Sequence, residues 1–169
     1  TNLTIGSASD VTSTEFDGVV ATYGNIDINT GTFQNDATIT TGGTGTFTLS
    51  NTGTATINSD ITTSGAMSID GAGAISLGAN ITTLDVASNN VTLNGAVTLT
   101  NNAVIDTANG SNDGNITFNS TIDGDYDLTL TSEGGTIDLG AATGSTAALN
   151  SLSINTTTSQ TLDQAITTD

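Results

Sequence analysis

The densest cluster of groups able to do chemistry in this chain is Asp123-Gly124-Asp125-Tyr126-Asp127. In an extended strand its three carboxylates share one face, about 7 Å apart along the chain. Calcium takes roughly six to eight oxygen ligands, and acids that bracket a glycine turn supply several of them. No basic residue lies anywhere in the sequence, so a cation is the one partner that offsets their mutual repulsion. Asp123, Asp125 and Asp127 are therefore the candidate metal ligands, with Ca2+ the cofactor to weigh against none. The competing reading is a solvated turn leading into Leu128-Thr129-Leu130, because the spacing of an EF-hand loop is absent. Asn112-Asp113-Gly114 is a weaker version of the same pattern.

Two other chemistries are weaker still. Gly42-Gly43-Thr44-Gly45-Thr46-Phe47-Thr48-Leu49 has the glycines of a calcium-binding nonapeptide repeat, but Phe47 stands where that repeat needs its liganding Asp. Those glycines read better as a tight corner. A pair of carboxylates is also what a glycosidase uses, and parallel β-helices do carry polysaccharide-cleaving sites. The chain has no Trp and only 4% aromatic residues with which to build a sugar platform, so a polysaccharide-active enzyme is a lesser alternative and no residue is assigned a catalytic role.

Composition removes most of the rest of catalysis. Lys, Arg, His and Cys are all missing. There is no imidazole to act as a base near neutral pH, no cationic clamp for a phosphate or oxyanion, and no thiolate. Seventeen acids leave a formal charge of −17. Nucleic acid and anionic membrane surfaces both bind through Lys and Arg, so both are excluded as partners. No apolar run approaches the roughly 20 residues that span a bilayer, so membrane insertion is not expected. Trypsin-type proteases find no cleavage site, and no Lys–Asn isopeptide staple can form. High net charge with few aromatics also marks disordered chains. Against that, charged residues are only 10% of the chain and the apolar ones sit in regular strand-like clusters. The chain reads as folded.

The elements that position these groups are short strands. A motif of apolar, polar and apolar residues appears as Leu3-Thr4-Ile5, Ile26-Asp27-Ile28, Phe47-Thr48-Leu49, Met67-Ser68-Ile69, Ile75-Ser76-Leu77 and Leu84-Asp85-Val86. It returns as Val91-Thr92-Leu93, Val97-Thr98-Leu99, Ile116-Thr117-Phe118, Leu128-Thr129-Leu130, Ile137-Asp138-Leu139 and Leu152-Ser153-Ile154. Alternation at period two puts both apolar residues on one face and the central polar residue on the other. Turn chemistry such as Asn29-Thr30-Gly31, Asp70-Gly71 and Asn94-Gly95 separates them. Glycine interrupts every window long enough for a helix.

Spacing then selects the architecture. The pairs Leu3/Ile5, Ile26/Ile28, Phe47/Leu49 and Met67/Ile69 recur at a period of roughly 20 residues, within the range of solenoids. Ile116/Phe118 to Ile137/Leu139 repeats it, while the register blurs between Ile75 and Asp113. Further pairs between these marks give two or three strands per turn. The expected fold is all-β: a single parallel β-helix or β-solenoid segment over residues 1–169, of roughly eight coils. Phe16, Phe33, Phe47 and Phe118 are expected in the wider corners, with outward Thr and Asn stacked in ladders. An immunoglobulin-type β-sandwich competes, but it wants a buried Trp or tyrosine corner and proline in its loops. The chain has neither Trp nor Pro.

Three smaller features bear on use. Thr-x-Thr runs such as Thr38-Ile39-Thr40 and Thr129-Leu130-Thr131 are those of an ice-binding array, yet the turns between them vary too much for a flat ladder, and strand propensity accounts for them. Sequons at Asn2, Asn80, Asn90, Asn115, Asn119 and Asn155 are common by chance in a chain this rich in Asn and Thr. Neither Thr1–Asp10 nor Ser159–Asp169 has the look of a solenoid cap, so the segment is expected to continue into further repeats or to self-associate.

The stretch Gly114-Asn115-Ile116-Thr117-Phe118-Asn119-Ser120-Thr121-Ile122-Asp123-Gly124-Asp125-Tyr126-Asp127-Leu128-Thr129-Leu130-Thr131, with Gly135-Thr136-Ile137-Asp138-Leu139-Gly140 and Ala148-Leu149-Asn150-Ser151-Leu152-Ser153-Ile154, resembles the coils of large bacterial β-strand-repeat surface proteins. These are the proteins of the filamentous haemagglutinin and autotransported adhesin type. The resemblance implies a right-handed β-helix secreted to the cell surface, serving as an adhesin, a biofilm-matrix filament or a surface layer. Host or matrix glycans are then the expected ligands. It carries over no catalytic or binding residue. Members usually contain some Lys, Arg or His, and here there is none. The expected function is an extracellular structural or adhesive rod without catalysis, the alternative a calcium-dependent, self-associating surface-layer or fibre module.

Overall fold

The computed structural model describes residues 1–6, 11–84 and 89–169. Every regular element among them is a β-strand, most of three to five residues. Such strands bury one apolar pair each and cannot stand alone. Stacking solves this. The strands form three sheets, and all register pairs run parallel.

The chain visits the three sheets in rotation. Leu3–Ile5 lies in the first, Ser13–Phe16 in the second and Val20–Thr22 in the third, and Ile26–Thr30 returns to the first. The first sheet has eight strands, the second six and the third seven. Isolated bridges Ile122 to Thr143 and Thr143 to Ile166 continue the second sheet through the last turns. Eight passes through the first sheet make seven full turns between its outer strands. At about 4.8 Å per strand the stack rises about 34 Å. The solenoid expected from the repeat is present, and the sandwich is not.

Register explains both the clear repeat and its blurred middle. In the first sheet Leu3 faces Ile26, Ile26 faces Phe47, Phe47 faces Met67, Met67 faces Val91, Val91 faces Ile116 and Ile116 faces Ile137. The spacing is 23, 21 and 20 residues, then 24 and 25, then 21. The longer turns hold the region where the period is hard to read. The added residues sit at corners, as in 110–115 after the strand Ala103–Asn109, so the strands keep their pairing. The motif Leu84-Asp85-Val86 lies partly outside the described residues.

Inside, one apolar column stacks on the next. Ile26, Phe47, Met67, Val91, Ile116 and Ile137 are fully buried, as are Ile61, Ile81, Ile105 and Leu130 in the third sheet. Each contributes about 1.5–3 kcal/mol relative to exposure, which is where the driving force for coiling lies. Phe33, Phe47 and Phe118 are buried, whereas Phe16 is only half-buried beside them. Phe16 meets Phe33 edge-on at 5.6 Å and Phe33 meets Phe47 at 6.0 Å, so three of the four phenylalanines form one row in the first coils.

Candidate functional site

The acidic segment 123–127 is a corner and not one strand. Asp123 ends the short strand Ile122–Asp123, and Asp127 opens the strand Asp127–Glu133. Between them Gly124 takes φ +130°, a conformation that side-chain-bearing residues rarely adopt. The shared face that a continuous strand would give the three acids is therefore replaced by a bend between the second and third sheets.

Two of the three carboxylates are engaged with the next coil. Asp123 Oδ1 accepts from the backbone N–H groups of Thr146 (2.7 Å) and Ala147 (3.3 Å). Asp127 Oδ1 accepts from Ser151 Oγ at 2.7 Å and from Asn150 Nδ2. Asp125 is exposed. Among the described residues, the three acids with carboxylate oxygens within 4.8 Å of one another are instead Glu15, Asp17 and Asp36, all exposed. There too amides intervene. Gln34 Nε2 donates to Asp36 Oδ2 and Asn58 Nδ2 to Asp36 Oδ1, each at 2.7 Å. With Asp123, Asp127 and Asp36 already held by N–H and O–H donors, the expected melting temperature in millimolar calcium equals that in magnesium at the same ionic strength. A rise specific to calcium, reversed by chelator, would show that an ion displaces those bonds.

These hydrogen bonds also set a pH dependence. Ser151 and then Asn150 hold the Asp127 carboxyl below its ordinary value of 3.8, and Asn58 and then Gln34 do the same for Asp36. A carboxyl depressed in the folded state adds stability above its unfolded value and loses it as pH falls through the folded one. Asp127→Asn should therefore lower the urea midpoint at pH 7, and the difference from wild type should close as the pH falls through the folded-state value. A gap that stays constant across the titration would contradict the assignment.

The outer surface is built of columns. The central residues of the first sheet stack as Thr4, Asp27, Thr48, Ser68, Thr92, Thr117, Asp138 and Thr161. Those of the third run Ala21, Thr40, Thr62, Thr82, Asp106, Thr131 and Asn155. In both, an acid stands over a hydroxyl. Elsewhere Glu15 stands under Gln34, Asp123 over Thr98 and Asp127 under Ser151. In none of these register pairs does an acid face an acid. Like charges at strand spacing are destabilising. Along the strand ladders this placement separates the acids of a chain of charge −17 without a basic side chain, while Glu15, Asp17 and Asp36 still gather at one exposed place.

Compared with family models, with curated proteins and with solved structures, the chain matches none of them.

The sequons acquire a structural explanation. Asn2, Asn90 and Asn115 stand immediately before strands of the first sheet, and Asn80 before one of the third. Each accepts a backbone N–H from the following coil: Asn25 on Asn2 (3.0 Å), Asn115 on Asn90 (2.8 Å), Thr136 on Asn115 (2.8 Å) and Val104 on Asn80 (2.9 Å). The next residue points inward and the Thr after it outward. Asn-apolar-Thr is thus one coil-forming unit, and four of the six sequon matches follow from it.

A second set of residues escaped sequence reasoning. Thr41, Thr63, Thr83, Thr107 and Ser132 are buried at the end of successive third-sheet strands. The four threonine hydroxyls close the corner: Thr41 on the carbonyl of Gly45, Thr63 on Gly65 and Thr107 on Gly114, each at 2.6 Å, and Thr83 on Asn89 at 2.7 Å, whereas the Ser132 hydroxyl is buried without a hydrogen-bond partner. The legible signal was Thr two positions after an inward apolar residue, with Gly a further two along in Ile61-Thr62-Thr63-Ser64-Gly65. Thr63→Val keeps the shape but strands the Gly65 carbonyl, so we expect a loss of about 1–3 kcal/mol in urea unfolding. An unchanged midpoint would mean water reaches that corner.

Proposed function

We propose that the chain is a segment of an extracellular structural or adhesive rod of the bacterial surface-adhesin type, and that it works through its shape and outer columns and not through catalysis. One observation carries this reading: the first sheet holds register from coil to coil, so hydroxyls and spaced acids repeat along an external column. Such a surface offers many equivalent hydrogen-bonding positions, which suits host or matrix glycans. The outermost strands of each sheet pair on one side, so further coils or another copy extend the stack by the same parallel pairing. The resemblance of residues 114–154 to haemagglutinin-type repeats supports secretion to the cell surface.

Electron microscopy and immunolabelling of the native material test this. Filaments, or rods held at the cell surface, are the expected result. Discrete particles confined inside the cell would overturn it.

A further inference from the structure

The chain contains two Asn-Gly pairs, Asn94-Gly95 and Asn109-Gly110, and the fold places them in opposite circumstances. We propose that Asn109 is a site of spontaneous covalent modification, deamidating through a succinimide, while Asn94 is protected. In this reaction the Gly110 nitrogen attacks Cγ of Asn109 and a new C–N bond forms. The bond from Cγ to the side-chain nitrogen breaks, and that nitrogen leaves as ammonia, taking up the proton lost from the Gly110 amide. Water then opens the five-membered ring at either carbonyl, giving aspartate or isoaspartate at position 109. Water is the one co-reactant, and no oxidant or enzyme is required.

The geometry separates the two sites. Asn109 closes the seven-residue strand Ala103–Asn109 and is exposed, as is Gly110. Gly110 has φ +149°, outside the strand conformation, and leads into a bend. The Asn109 side chain makes a long bond of 3.3 Å from Nδ2 to the Thr83 carbonyl. Its strand is also irregularly paired there, with Leu84 facing Asn109 across a register shift. Exposure, a single long side-chain bond and irregular pairing leave Asn109 the less constrained of the two sites.

Asn94 has no such freedom. Its Nδ2 donates to Asp70 Oδ1 at 3.0 Å, and its Oδ1 accepts from Asn119 Nδ2 at 2.5 Å. It is the middle rung of a column Asp70, Asn94, Asn119 at one corner. Gly95 is buried, and a Cβ built on it would lie 2.0 Å from the Gly73 carbonyl oxygen of the coil below. Cyclisation there needs local opening of a stacked corner. Its product would also set one carboxylate directly over Asp70, the arrangement that the register pairs avoid.

The test is peptide mass spectrometry of the intact chain held at 37 °C and mildly alkaline pH, digested with an acid protease because trypsin has no site. The folded protein should gain one mass unit at Asn109 at least about tenfold faster than at Asn94, since Asn94 reacts only through local opening. In denaturant the two rates should converge, which shows that the fold and not the dipeptide sets the difference. Enzymatic isoaspartate methylation should label the peptide that contains position 109. Equal rates in the folded chain, or a faster Asn94, would overturn the proposal, as would an Asn109 no more reactive than the chain's other asparagines.

Discussion

Gly73→Ala should destabilise the protein by about 3 kcal/mol or more, a loss seen for substitutions that force backbone apart in a packed interior. Gly73 is buried at the corner between the first and second sheets, directly above the preceding coil. A Cβ there would lie 1.7 Å from the Gly53 carbonyl oxygen and 2.6 Å from Asn51 Nδ2. Asn51 itself is buried and donates to that same carbonyl, so neither neighbour can move without opening the corner. The stacked coils above and below share the strain, because the strand spacing is fixed by their backbone hydrogen bonds. For a chain of this size the loss corresponds to a fall of roughly 6–12 °C in melting temperature. Gly18→Ala is the control: a Cβ there meets nothing within 4 Å, and its melting temperature should stay at the wild-type value. Equal effects at the two positions would mean that the coils are not packed as described.

Phe47→Ala should cost about 3–5 kcal/mol, the range for removing a buried aromatic side chain. Phe47 is fully buried, stacked in register between Ile26 below and Met67 above, and edge-on to Phe33 at 6.0 Å. A narrow coil has little means of collapsing into the space, because its wall is held by pairing on both sides. The first coils should loosen before the last, since each coil contacts mainly its neighbours. Hydrogen exchange would then show faster exchange around Ile26–Thr30 than around Asp127–Glu133. Leu162→Ala, at a side chain 41% exposed, should change the midpoint by less than about 1 kcal/mol. A Phe47→Ala loss no larger than that of Leu162→Ala would contradict the packing.

The strand pairs were readable because period-two alternation survives in three residues: Met67, Ser68 and Ile69 already show which side is inside. The rotation among three sheets was not, since 20-residue spacing fits two strands per turn as well as three. Corner insertions hid the period between Ile75 and Asp113, although pairing of Met67 with Val91 and Val91 with Ile116 keeps the stack intact. The shared face expected of the acids at 123–127 does not form, for a definite reason. Asp-x-Asp-x-Asp aligns on one face only if the chain stays extended, and Gly124 at φ +130° bends it. The inward Thr and Asn were missed because composition assigns such residues to the surface. Inside a stack their side chains answer corner carbonyls that no strand can reach.

In-register stacking is the central claim, and pulsed electron–electron resonance between spin labels tests it most directly. The chain has no cysteine of its own, so labels at introduced cysteines are unambiguous. Thr4 and Asp138 lie in one outward column of the first sheet, six strand steps apart, and Asp27 and Thr117 lie four steps apart in the same column. At about 4.8 Å per step the pairs Thr4→Cys with Asp138→Cys and Asp27→Cys with Thr117→Cys should give narrow distributions near 29 Å and 19 Å. A difference between the two far from about 10 Å, two strand spacings, would contradict the coil-on-coil stack.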